Sequence, residues 1–227
     1  EGAQLVNIGL NATYLPNSDG THYVDGIVSH NGNDVLLLTG TYNPAGQGTL
    51  DGQAELQRLP LELANGFLPD NLATLAGYVH GKLDVSGSVA SPVLDGALRT
   101  DSMRLNSDLY SVHLRFPDDT MRIEKSIIDL NHLQAYSKGK SPGVLDGRID
   151  ARKTEKIGLD VSLKAHDFEL INAPKTRGAL AYGRVYVDID TRLTGTLDNL
   201  KLRGSLNVLG NTNVTYVLTD SPLTVDD

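Results

Sequence analysis

Six histidines, His22, His30, His80, His113, His132 and His166, are the residues here best suited to ligating a metal or moving a proton. No two lie within four positions of each other, so none forms the local pair by which a helix offers two imidazoles to one ion. Each reads as a surface or strand-edge residue. Carboxylates are plentiful, and Asp118-Asp119 and Asp188-x-Asp190 are close pairs. Hydrolysis of a glycoside needs two carboxylates opposed across a cleft. The second pair falls on what reads as the wet side of a strand, and the chain has no Trp to serve as a sugar platform. Neither Asn31-Gly32-Asn33-Asp34 nor Asp188-Ile189-Asp190 has the closing Glu of a calcium loop. No Gly-x-Ser-x-Gly elbow and no Gly-x4-Gly-Lys-Ser/Thr phosphate loop occurs. The absence of cysteine excludes disulfides, thiolate metal sites and a cysteine nucleophile. The expectation is a protein that is not an enzyme, with no metal and no cofactor.

Charge narrows the partners. The formal net charge of -8 argues against a nucleic-acid partner, whose phosphates call for a basic face. The densest basic stretch, Lys138, Lys140, Arg148, Arg152, Lys153 and Lys156, is interleaved with Asp146, Asp150 and Glu155. It reads as a solvated face around a hairpin. No apolar run approaches the ~18 residues of a membrane-spanning helix. The sequence opens on Glu1 without a start methionine, so it is expected to be an excised or processed piece of a longer protein.

With no local chemistry in view, the elements become the subject, and most of them read as strands. Leu159, Val161 and Leu163 alternate with Asp160, Ser162 and Lys164, and Val185, Val187 and Ile189 alternate with Arg184, Tyr186, Asp188 and Asp190. Alternation of this kind gives a strand one apolar and one polar side. Asn31-Gly32 predicts a tight hairpin turn before Val35–Tyr42. Further turns are expected at Asn43-Pro44, Ser91-Pro92, Pro117-Asp118, Ser141-Pro142-Gly143, Ala173-Pro174 and Ser221-Pro222. Only residues 59–75 break the rhythm. Pro60 suits the first turn of a short helix ending near Asn65-Gly66, and Asp70 could cap a second through Leu75.

One pattern returns. Gly87-Ser88-Val89-Ala90-Ser91-Pro92-Val93-Leu94-Asp95-Gly96 is echoed at Gly195-Thr196-Leu197-Asp198-Asn199-Leu200-Lys201-Leu202-Arg203-Gly204, with Leu98 matched by Leu206. A chain of such hairpins builds a long surface. Gly40, Gly87, Gly96, Gly195 and Gly204 fall in step with the apolar positions of their strands. Two readings stay open. The glycines either relieve crowding between two packed sheets or permit a sharply bent sheet with room above it.

Gly81-Lys82-Leu83-Asp84-Val85-Ser86-Gly87 followed by Pro92-Val93-Leu94-Asp95-Gly96-Ala97-Leu98, with the ending Gly210-Asn211 and Val214-Thr215-Tyr216, resembles the TamB family, relatives of AsmA. The likeness covers about residues 35–105 and 180–225 and rests on strand rhythm alone between them. It implies an all-β fold: an elongated, curled, antiparallel-rich sheet forming a hydrophobic trough, the β-taco, with one or two short helices near residues 60–75. The whole of residues 1–227 would be one elongated module, with possible sub-units 1–58, 59–140 and 141–227. At ~4.8 Å per strand, 15–20 strands would extend roughly 70–95 Å.

The resemblance also implies a place and a task. Such proteins are anchored in the inner membrane of Gram-negative bacteria by an N-terminal helix, span the periplasm and meet an outer-membrane barrel of the Omp85 class. They are implicated in carrying phospholipid acyl chains toward the outer membrane, and in assembling outer-membrane proteins. This chain would be an internal, periplasmic module without the anchor and without the segment that touches the barrel. No catalytic residue is carried over. The expected lining is Leu36, Leu38, Leu83, Val85, Val89, Leu94 and Leu98, then Leu159, Val161, Leu163, Val185, Val187 and Ile189, and finally Leu193, Leu197, Leu202, Leu206 and Val208. The same residues would equally fill a β-sandwich core. A module that holds outer-membrane strands by edge pairing, and a carbohydrate-active β-solenoid, are the other readings left open.

Overall fold

A computed structural model describes residues 7–68, 73–107, 112–153, 155–175 and 181–216. Strands β1 (Ile8–Pro16), β2 (His22–His30), β3 (Asn33–Asn43) and β4 (Thr49–Pro60) lead into a short 3-10 helix, Leu61–Phe67. Then follow β5 (Thr74–Ser88), β6 (Ser91–Ser107), β7 (Val112–Arg115), β8 (Thr120–Glu124) and β9 (Ile127–Ala135). The rest are β10 (Gly143–Asp150), β11 (Gly158–Ala173), β12 (Ala181–Thr196), β13 (Asn199–Val208) and β14 (Asn213–Tyr216).

All fourteen strands belong to one sheet whose main path is β1-β2-β3-β4-β5-β6-β8-β9-β10-β11-β12-β13. Every pairing is antiparallel. The long strands β6 and β12 each hold two partners: β6 pairs β8 and then β7, and β12 pairs β13 and then β14. Among the described residues β1 and β13 do not pair, so the sheet is open and not closed into a barrel. The described residues form fourteen strands against the expected 15–20, and several of them are long, up to 17 residues in β6. The twelve strands of the main path span roughly 50 Å at ~4.8 Å apiece.

The two copies of the repeated hairpin fold alike. Each turns on two residues, Val89-Ala90 and Leu197-Asp198, and pairs the second glycine four residues before the first: Leu83 with Gly96, Thr191 with Gly204. Asn31-Gly32 makes its tight turn with φ of 51° and 78°. The turn expected at Ser91-Pro92 falls two residues earlier, and Pro92 lies in β6 opposite Gly87. Pro60, at φ -64°, stands just before the 3-10 helix and not within it. The second expected helix is not formed as far as Leu75, since β5 begins at Thr74. Its proposed cap Asp70, like Ser221-Pro222, lies outside the described residues. Asn65 ties the 3-10 helix to β5: its Oδ1 accepts the Leu75 N–H (2.7 Å) and its Nδ2 donates to the Leu75 carbonyl (3.1 Å).

Bulges bend the sheet. Two residues of one strand face one of the next at Gln57-Arg58, Ser102-Met103, Asn131-His132 and His166-Asp167. In each pair one residue takes positive φ: Arg58, Ser102, His132 and Asp167, at 49–56°. Three of these amides find a carboxylate. The N–H of Ser102 donates to Asp118 (2.9 Å), that of His132 to Asp146 (2.8 Å) and that of Asp167 to Asp188 (3.0 Å). A bulge increases the local right-handed twist and bends its strand. Four spread across the sheet give it a curl.

The glycines follow the same logic. A Cβ on Gly96 (φ 149°) would come within 2.4 Å of the Lys82 carbonyl oxygen. One on Gly204 (φ 140°) would come within 2.1 Å of that of Asp190. These glycines let the backbone of the neighbouring strand approach closely within the ladder.

Candidate functional site

Partners in an antiparallel ladder share a face, so the register can be followed across the whole sheet. One row runs Val28, Leu36, Leu56, Gly81, Leu98 and Met121. Another runs Leu38, Ala54, Leu83, Gly96, Ile123, Ile128, Ile149, Leu159, Gly195 and Leu200. One apolar face therefore crosses the sheet from β2 to β13. The opposite face is polar. There Lys82 meets Glu55 at 3.1 Å and Arg192 meets Asp160 at 2.7 Å. The Arg192 guanidinium, hydrogen-bonded to Asp160, holds that carboxyl below the usual carboxylate range.

All but two of the residues expected to line a trough stand on the apolar face: Leu36, Leu38, Leu83, Val85, Leu94, Leu98, Leu159, Val161, Leu163, Val185, Val187, Ile189, Leu193, Leu202, Leu206 and Val208. Val89 and Leu197 are instead equivalent turn residues at the rim. The N–H of Val89 donates to Gly48 and that of Leu197 to Ile157, which links successive turns.

Exposure along the face is graded. Val187 is 0% exposed, and Leu83, Val161 and Ile189 are buried too. They belong to three clusters that fill the middle of the curl. One gathers Met103, Phe116, Leu130, Leu133, Ala135 and Val161. The second holds Ala54, Leu56, Val79, Leu83 and Ile123, and the third Phe168, Val187 and Ile189. Leu61 of the 3-10 helix packs against the first two. Leu36, Leu38, Val85, Leu94 and Leu98 are half-buried. At the lateral edges the face is bare, with Leu10 of β1 73% exposed and Leu202 of β13 68% exposed.

Between β2 and β5 the apolar face dips. Gly40 faces Gly52 across the β3–β4 ladder, and a cavity of about 120 Å³ opens there, lined by Val24, Leu38, Gly40, Leu50, Gly52 and Val85. His22, two residues beyond Val24 on the same strand, stacks on Tyr14 with ring centroids 4.5 Å apart. Tyr42 tilts toward it at 6.4 Å. His22, the first residue of β2, is thus half-buried within the apolar face. His113, His132 and His166 are exposed. His132 approaches Asp146 (3.2 Å) and His166 approaches Asp188 (2.7 Å) at their bulges.

Three of the four paired carboxylates accept backbone amides. Asp118 and Asp188 hold bulge amides, while Asp119 accepts the N–H of Thr120. Among the described residues, no group of three or more His, Asp or Glu side chains is placed to hold a metal ion. Sequence reasoning missed Ala54, Leu56, Ile123, Ile128, Leu133, Leu145 and Ile149, which share the apolar face. The alternation in Leu145-x-Gly147-x-Ile149 was a usable signal; that of β9 is broken by its bulge.

An open, curled sheet with one unbroken apolar side defines a long-surface β protein, built of hairpins added in chain order. Residues 131–227 match the family model described as TamB C-terminal domain, so this part of the chain is similar to that family. The matched span takes in the second half of the resemblance and, from residue 131 on, the later part of the stretch where rhythm alone spoke for it. No curated protein and no solved structure matches the chain. The family belongs to the translocation and assembly module and serves outer-membrane biogenesis, spanning the periplasm of Gram-negative bacteria. It is a transport and assembly system, not one known for catalysis. No helix among the described residues is long and apolar enough to cross a membrane.

Proposed function

We propose that the curled sheet carries phospholipid acyl chains across the periplasm on its apolar face, within the family's role in outer-membrane biogenesis. The observation that carries this reading is the register: one apolar row after another continues strand to strand from β2 to β13. Exposing an acyl chain to water costs ~0.8 kcal/mol per methylene, or ~13 kcal/mol for sixteen of them. A dry lane lowers that barrier while the headgroup remains in solvent at the rim. No nucleotide or metal enters such passive conduction. In this reading, other segments supply the inner-membrane anchor and the contact with an Omp85-class barrel.

The test is lipid carried by the purified protein. Native mass spectrometry of wild type should show bound phospholipid. Val85 is half-buried and borders the cavity, so Val85→Lys should fold while losing most of that lipid. Normal melting with undiminished lipid in this variant would refute the lane at that point.

A second reading is a chaperone or spacer for outer-membrane proteins without lipid movement. The bare edge strands favour it: β1 and β13 leave one side without a ladder partner among the described residues, and β-edges bind extended chains. Unfolded outer-membrane protein captured with no co-purified lipid would favour this second reading.

A further inference from the structure

We infer that His22 and the cavity beside it form a station for an amphiphile, with the tail in the cavity and a hydrogen-bonding polar end at the imidazole. This rests on the reading of the apolar face as an acyl lane and adds to it a fixed stopping place. Two independent observations carry it. The first is the cavity of about 120 Å³ over the Gly40–Gly52 pair. It opens onto the face and its exposed wall is almost wholly apolar, so burying hydrocarbon there is favourable. The second is the Nδ1 of His22, a buried ring nitrogen without a hydrogen-bond partner. Buried polar atoms are nearly always satisfied, and one that is not calls for a missing partner.

The two features are neighbours. His22 and Val24 lie on the same face of β2, and Tyr42, opposite His22, also pairs with Leu50 of the cavity wall. Hydrocarbon alone would fill the hollow and leave Nδ1 orphaned. A free anion would satisfy Nδ1 and leave the hollow empty. A lipid with an ester or phosphate oxygen one step from its tail answers both. Tyr14 stacks on the imidazole from the exposed edge strand, so a lipid reaching Nδ1 has to displace an exposed side chain and not a buried one.

The experiment uses the purified chain and three probes: diphenylhexatriene as a tail without a headgroup, a medium-chain lysophosphatidylglycerol, and inorganic phosphate. Wild type should bind diphenylhexatriene and release it to lysophosphatidylglycerol. The lysolipid should also shift the nitrogen resonance of His22 Nδ1. His22→Leu keeps the face apolar; it should still bind diphenylhexatriene but need about five-fold more lysolipid to release it, the worth of one hydrogen bond. Inorganic phosphate alone should leave the His22 resonance in place. An unmoved resonance with lysolipid, unchanged displacement in His22→Leu, or an equal shift with phosphate would each overturn the station while leaving the lane standing. Failure of wild type to bind diphenylhexatriene would bring down the lane as well.

Discussion

Asp146 and Asp188 show what the carboxylates of this chain do. Each accepts the amide of a bulge residue held at positive φ, from His132 and Asp167 respectively. Removing the acceptor strands an amide next to protein. Asp188→Ala should therefore cost about 1 kcal/mol, discounted for partial exposure. Thermal denaturation should show a fall of about 2–4 °C. Asp150 makes a different prediction. The Arg152 guanidinium hydrogen-bonds it (Nε to Oδ1, 2.9 Å), the Arg152 N–H adds to this, and the carboxyl is pushed down from 3.8 to about 2. A depressed carboxyl contributes stability above pH ~4 that is lost as the pH falls toward 2. NMR titration should place the Asp150 midpoint near 2, and Arg152→Ala should return it toward 3.8. None of this was legible in the sequence. Asp188-x-Asp190 looks like any polar strand face until the register sets Asp188 against two residues instead of one.

At the scale of elements, alternation was enough to find the strands and their apolar sides, and the hairpin repeat forecast two turns of identical register. Parity could not forecast the bulges, because each extra residue exchanges the two sides of the strand beyond it. The glycines sort into two kinds that sequence does not separate. Gly204→Ala drives a methyl into the Asp190 carbonyl at positive φ and should destabilise by about 2 kcal/mol or more. Gly66, in the 3-10 helix, has nothing within 4 Å of a Cβ, so Gly66→Ala should be neutral or mildly stabilising. Urea titration of the two variants side by side separates them. The Asn65 clamp was hidden for another reason: its partner Leu75 belongs to a strand where a helix was expected.

For the whole molecule, shape is the most telling quantity. The accessible surface is 14923 Å², against about 10,000 Å² expected for a compact protein of 24.4 kDa. Small-angle scattering should give a radius of gyration clearly above the ~17 Å of a compact chain of this length. A value at the compact limit would mean that the sheet rolls up in solution. The family likeness made the curl expected, but the distribution of closed and bare stretches along it follows from where Phe116, Met103 and Phe168 happen to reach. The strand order has one more consequence. Because nearly every strand bonds to the strands before and after it in the chain, assembly requires almost no distant search. A chain delivered end first can zip up hairpin by hairpin as it emerges. Pulled from either end, it should give way in the same small steps, and evolution can lengthen or shorten it by whole hairpins without rewiring what remains.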